Sequence, residues 1–334
     1  MKKQLIFSGT SYLGINQNQA FRALLIEGLE KYGNNYGGSR LSNLVAPIFE
    51  EAEMQLSQEL GAEAALSLSS GSLAGQLVVR YLEAAGMQLH FAPGTHPALW
   101  GRGQYYEGDF TDWVQQMSEL AEKTKEEICL FANAVDPLYV QQFDFSDLKF
   151  FPQKRKTTIV IDDSHGIGVL GKNGSGIWAS LPKGEHLRFI VVSSLGKALG
   201  IPGGAIFSDQ ETIKQLWQSP FFGGASPCLP AYLYAYVHSE KIYQEARIKL
   251  QNNIQTFNGK VEQKWFRSLP NYPVYYTTEN QLAPFLMQRY ILISSFPYPS
   301  PKDKFITRVV LNSAHSTQNI QQLTNLIHEF FQKP

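Results

Sequence analysis

The stretch TIVIDDSHGIGVLGKNGSG, residues 158–176, decides how this chain is read. An apolar run ends in Asp162, His165 follows, and Gly166, Gly168 and Gly171 spell G-x-G-x-x-G. As a dinucleotide fingerprint, that spacing needs a helix opening at the third glycine. It also needs an acidic residue about 20 positions on, at the end of a second strand. Here Gly171 runs into KNGSGIW, and Glu185 precedes the next apolar run instead of ending it. The glycines by themselves ask only for a tight, left-handed loop. That leaves Asp162 and His165 unexplained, because a carboxylate at a buried strand end is unfavourable without a partner.

Working outward, ICLFAN (128–133), TIVID (158–162), FIVVS (189–193) and GAIFS (204–208) are continuous apolar runs. Continuous runs suit strands buried on both faces, in a mostly parallel sheet sandwiched by helices. Functional groups of such sheets gather beyond the carboxyl ends of the strands. Asp162, His165, Ser194 and Lys197 all follow such ends. Upstream, 18–32 is a helix with Phe21, Leu24, Leu25 and Leu29 on one face and Gly33 as its stop. A second helix runs over 47–60, a strand over 64–70, and Gly71 leads into another helical run. From about Ala231 the character changes. A long helical stretch over 230–266 precedes strands at 272–278 and 306–314 and helices at 280–289 and 317–331. The expected division is an N-terminal segment (1–45), a large α/β domain (46–230) and a smaller α+β domain (231–334).

The chain of 334 residues carries 29 basic and 29 acidic side chains, so no charge field favours nucleic acid. Its two cysteines, Cys129 and Cys228, make neither a disulfide framework nor a metal-site spacing, which suits a reducing compartment. The opening MKKQLIFSGTSYLG has too short an apolar run for a signal peptide, and nowhere is there an apolar run of membrane-spanning length. A cytoplasmic protein without a bound metal is expected.

Lys197 stands among small residues, Gly196, Ala198, Gly200, Gly203 and Gly204. A lone lysine is most often a solvated surface group. This one belongs to an ordered set: a carboxylate at one strand end, a lysine just past the next, and a Ser-Gly-Ser turn opening a helix. Those are the groups pyridoxal 5'-phosphate requires. The lysine bonds the aldehyde, the carboxylate pairs with the pyridinium nitrogen, and the turn offers backbone N–H groups to the phosphate.

Five segments carry a family resemblance: NYGGSR (35–40), LSSGSLAG (68–75), IDDSHGIGVLGKNGSGI (161–177), SSLGKALGIPGG (193–204) and RVVLNSAHS (308–316). In this order the chain resembles the α-oxoamine synthases, fold-type I pyridoxal-phosphate enzymes that include 8-amino-7-oxononanoate synthase. The resemblance implies a seven-stranded sheet of that fold type and a homodimer with its active site at the interface. It makes Lys197 the Schiff-base lysine and the acid/base at Cα, and Asp162 the partner of the pyridinium nitrogen. His165 binds the phenolic oxygen and His96 stacks on the ring. Gly71, Ser72 and Ser194 contact the phosphate, and Arg308 binds the amino-acid carboxylate. Gly223 and Gly224, in FFGGASP, stand where the family has a hydroxyl-bearing phosphate element contributed by the partner subunit.

The chain departs from the family pattern at Thr10 and Gly75, where asparagine is usual, at Ser164 in place of alanine, and at Gly196 in place of serine. ANAVDP (132–137) keeps only Asp136 of a longer acidic segment, and the family's N-terminal arm has no counterpart. The cofactor groups are kept better than the acyl-CoA groups. The implied activity is decarboxylative condensation of a small amino acid, alanine first, with an acyl-CoA or acyl-carrier-protein thioester. An aminotransferase or lyase using the same residues, and a non-catalytic pyridoxal-phosphate-binding protein, stay open as alternatives.

Overall fold

The structure, a computed structural model, describes residues 4–298 and 300–332. Lys2 and Lys3 of the opening segment lie outside the described residues. A seven-stranded sheet runs in the order Ala64–Leu68, Gly204–Ser208, Leu187–Ser194, Thr157–Asp162, Ile128–Asn133, Gln88–Phe91, Gln104–Tyr105. Every neighbouring pair is parallel except the two made by Gly204–Ser208, which is antiparallel to both its partners. This is the fold-type I transferase sheet. Adjacent residues of one strand enter opposite cores: Val160 packs with Leu77 and Val78 of the helix Gly71–Ala84, while Ile159 and Ile161 belong to the core on the other face. Burial on both faces is why these strands read as unbroken apolar runs.

A second, five-stranded sheet has the order Leu5–Phe7, Ile291–Pro297, Phe305–Val310, Val274–Thr277, Arg267–Ser268. Its first strand comes from the N-terminal segment and runs parallel to Ile291–Pro297. The same segment supplies the helix Gln19–Tyr32, capped by Asn18 and ended by Gly33 at φ 76°. That helix packs on Pro230–Val237, and Gly28 makes the crossing possible: a Cβ there would lie 2.5 Å from the Ala231 carbonyl oxygen. The expected single helical stretch over 230–266 is two helices, Pro230–Val237 and Glu240–Asn258. At the break the buried Ser239 turns both its N–H (3.0 Å) and its hydroxyl (2.9 Å) to the Tyr236 carbonyl, a local bond that competes with helix continuation. Helix Thr317–Phe331 closes the sheet with Ile320, Leu323 and Ile327.

Candidate active site around Lys197

The parallel strands end level with one another. Asn133 lies opposite Asp162 and Asp162 opposite Val192, so side chains just past these ends share one rim. Lys197 sits on a tight loop closed by Leu195 N–H to the Gly203 carbonyl (2.9 Å) and Ile201 N–H to the Leu195 carbonyl (3.0 Å). Its Nζ is 2.7 Å from Nε2 of His165. Burial lowers the lysine's pKa, against the opposing pull of the Asp162 and Asp163 charges. His165 is held well below its ordinary pKa, first by burial and then by the Lys197 charge, so its ring is neutral. Its Nδ1 lies 2.8 Å from the Tyr12 hydroxyl, which burial pushes up to about 12. Tyr12 in turn meets the Tyr272 hydroxyl at 3.4 Å.

Asp162 takes the Ser164 N–H on Oδ1 at 2.9 Å, and its Oδ2 is 3.8 Å from Nδ1 of His96. That Nδ1 accepts the Ala98 N–H at 3.2 Å. Burial lowers the His96 pKa and the nearby Asp162 charge opposes the shift. Asn133 anchors the His96 loop, accepting the His96 N–H at 3.0 Å and donating to the Gly94 carbonyl at 2.8 Å.

The helix Gly71–Ala84 starts against the Lys197 strand. Ser70 caps it by accepting the Leu73 N–H at 3.1 Å, and the N–H groups of Gly71 and Ser72 stand at its positive end. Only glycine fits this contact: a Cβ on Gly71 would lie 2.8 Å from Cα of Ser194, and one on Gly204 would lie 2.3 Å from the Ser70 carbonyl oxygen. Ser194 donates its N–H to the Ser164 hydroxyl at 2.7 Å, so Ser164 ties the loop after Asp162 to the next strand. Gly75 abuts the His96 loop, where a Cβ would sit 2.5 Å from the Ala98 carbonyl oxygen.

Arg308, on Phe305–Val310, stands opposite Tyr276 and Ser294. Its Nη1 donates to the Pro137 carbonyl at 2.6 Å, and its buried Nε has no hydrogen-bond partner among the described residues. Burial lowers its pKa, while Tyr12, Tyr272 and Asp136 pull the other way. Gly223 and Gly224 end the short helix Pro220–Gly224: Ser39 donates to the Gly223 carbonyl at 2.7 Å and Leu41 packs against Gly223, while the space for a Cβ on Gly224 is open.

The glycine-rich loop after Asp162 closes on itself through Gly168 N–H to the Gly174 carbonyl at 2.7 Å. Past Gly171 there are only the 3-10 turns Lys172–Gly174 and Trp178–Ser180, not the helix a pyrophosphate site needs. The loop wraps the carboxylate of Asp163, which accepts the Ile177 N–H at 2.7 Å. A Cβ on Gly166 or on Gly176 would come within 2.1 Å of that carboxylate. Burial raises the Asp163 pKa to about 7. Among the described residues no His, Cys, Asp and Glu cluster could hold a metal, and no helix is long and apolar enough to cross a membrane.

Sequence reasoning missed Tyr12, Tyr272, Asn133 and Asp163 as parts of this rim. Tyr12 lay in the quoted GTSYLG segment and Asp163 next to Asp162, but nothing local marks Tyr272 or Asn133 as their neighbours.

The aminotransferase class I and II family model matches residues 16–327. The 8-amino-7-oxononanoate synthase of Aliivibrio fischeri is 26% identical over 98% of this chain and 89% of its own length. That of Petrotoga mobilis is 27% identical over 96% of this chain and 86% of its own. Among solved structures, SPT with PLP superposes at a TM-score of 0.84 and 17% identity, covering 98% of this chain and 87% of that one. The Francisella tularensis 8-amino-7-oxononanoate synthase gives 0.76 at 21% identity, over 99% and 98%. At these identities the structural likeness speaks for the fold.

Proposed function

The chain belongs to the aminotransferase class I and II family, and from that premise we propose that it is a pyridoxal-phosphate-dependent α-oxoamine synthase similar to 8-amino-7-oxononanoate synthase. It would join a small amino acid, alanine first, to an acyl-CoA or acyl-carrier-protein thioester with loss of carbon dioxide, as a homodimer. The observation that carries the reading is the half-buried Lys197 amine on one rim with Asp162, His165 and His96.

The residues fit pyridoxal 5'-phosphate on three counts. A half-buried amine with a lowered pKa faces a neutral imidazole. A carboxylate ends the neighbouring strand. A glycine-only helix start lies against the strand that leads to the lysine. When bound, the cofactor supplies a ring that takes up the electron pair left at Cα. Lys197 would bond its aldehyde and Asp162 hold the protonated ring nitrogen. His165 would hydrogen-bond the phenolic oxygen and His96 flank the ring. Gly71, Ser72 and Ser194 would meet the phosphate, with Gly223 and Gly224 reaching that of a second copy. Arg308 would hold the amino-acid carboxylate, its unpartnered Nε accepting that role. Lys197 would then remove the Cα proton, its lowered pKa bringing a free amine closer to neutral pH.

The test is release of carbon dioxide from carboxyl-labelled L-alanine by the cofactor-loaded protein. Release that requires an acyl-CoA supports the synthase. Formation of pyridoxamine phosphate without any acyl-CoA would identify an aminotransferase, the activity for which the matching family model is named.

A further inference from the structure

A hairpin spans the space between the strand of Asp162 and Arg308. After Asn133 the chain forms a hairpin in which Val135 pairs with Gln142 and Asp136 with Gln141. Its base is bonded to the ring-binding strand: the Ala134 N–H donates to the Asp162 carbonyl at 2.8 Å, and the Phe143 N–H donates to the Ala134 carbonyl at 3.1 Å. Its tip is stiff. The Asp136 carboxylate accepts the Leu138 N–H at 2.7 Å, and Val140, fully buried, is held at φ 55°. A β-branched residue in that region is strained, and such strain persists only where the surroundings fix it.

The tip lies on the five-stranded sheet at two points. The Pro137 carbonyl takes Nη1 of Arg308, and the Tyr139 ring meets Tyr276 edge-on at 5.4 Å between centroids. Tyr276 is the cross-strand partner of Arg308, so both contacts fall on one face. With Nη1 occupied and the Phe296 ring 5.5 Å from the guanidinium carbon, the orientation of the group is set and Nε is left without a partner.

We propose that this hairpin is a rigid spacer between Asp162 and Arg308, and that Tyr139 is a positioning residue that presents Arg308 to the carboxylate of the amino-acid substrate. The inference rests on the reading of Arg308 as the carboxylate-binding residue. Tyr139 touches no reacting atom. It keeps the tip on Tyr276, and the tip keeps the guanidinium aimed.

The experiment titrates cofactor-loaded full-length protein with L-alanine, and separately with ethylamine, which lacks the carboxylate, and follows the visible band. Tyr139 is 41% exposed, so its replacement is compatible with folding, which a melting curve checks. Tyr139→Ala is expected to weaken L-alanine binding about tenfold, with ethylamine binding and cofactor affinity unchanged. Tyr139→Phe, which keeps the ring, is expected to restore L-alanine binding. L-alanine affinity within twofold of wild type in Tyr139→Ala, or equal weakening of ethylamine, overturns the proposal and leaves the proposed function standing. Failure of the wild-type protein itself to respond to L-alanine overturns both.

Discussion

Nζ of Lys197 lies 2.7 Å from Nε2 of His165, while the other nitrogen of that ring lies 2.8 Å from the Tyr12 hydroxyl. A neutral imidazole has one donor and one acceptor nitrogen, so the two contacts have opposite polarity. With the hydroxyl donating to Nδ1, Nε2–H points at Nζ and, in the same direction in which burial pushes the lysine, favours the uncharged amine. That is the state in which it can bond an aldehyde. Lys197→Ala is therefore expected to abolish the visible band that forms when pyridoxal 5'-phosphate is added to the wild-type protein. A band of unchanged intensity in the variant would remove Lys197 from its role.

Arg308 offers a planar fork, with Nη1 on Pro137 and Nε unpartnered. Lysine keeps the charge but brings a single point donor. Arg308→Lys is expected to raise the KM for L-alanine by roughly one to two orders of magnitude, the loss of one bidentate charge-assisted contact. Affinity for the cofactor should not change. Steady-state kinetics at varied L-alanine, together with a cofactor titration, checks both statements.

Gly75 stands where the resembled family has asparagine, and the backbone of the His96 loop already occupies the space for a Cβ, 2.5 Å from the Ala98 oxygen. Gly75→Asn should therefore not restore a family function but destabilise the protein, by about 1–3 kcal/mol, the usual range for overpacking. Equilibrium denaturation of the two proteins gives the difference directly. Equal stability would mean that the His96 loop yields freely.

Asp163 titrates at about 7 in the folded chain against 3.8 for the free group, because burial penalises the charged form. Between those values the folded state holds more protons than the unfolded state. This carboxyl thus contributes stability that is full below about pH 4 and lost as the pH rises through 7. Asp163→Asn keeps an oxygen for the Ile177 N–H and removes the titration. From pH 5 to 8 the wild-type melting temperature should fall relative to that of the variant. Parallel curves would show that the carboxyl ionises in the ordinary range.

The central strands and the rim they carry were legible because a doubly buried strand leaves an unbroken apolar run, and because Asp162, His165 and Lys197 lie within 36 residues of one another. Helix Thr317–Phe331 was read at its actual bounds, its Ser316 cap being a local signal. Gln88–Phe91 and Ile291–Pro297 passed unnoticed. The first is only four residues long, and the second mixes apolar residues with Ser294 and Ser295. The break at Ser239 was hidden because it depends on where a buried hydroxyl turns. Tyr272 meets Tyr12 across a separation of 260 positions, a neighbourhood no motif can express. No helix opens at Gly171, as the sequence around it indicates, but what the glycines of residues 166–176 enclose, the Asp163 carboxylate, needed coordinates.

The strand Leu5–Phe7 pairs with Ile291–Pro297, with Leu5 directly beside Ile291. On a ribosome adding about 5–20 residues per second, the earlier strand emerges roughly 15–60 s before its partner is made. The seven-stranded sheet, whose strands all lie between Ala64 and Ser208, has every segment it needs well before then. The order of synthesis thus makes every strand under the lysine rim available while Leu5–Phe7 still lacks the strand it pairs with. The small sheet can close only when Ile291–Pro297 and Phe305–Val310 have both been made, so the two ends of its strand order meet late in synthesis.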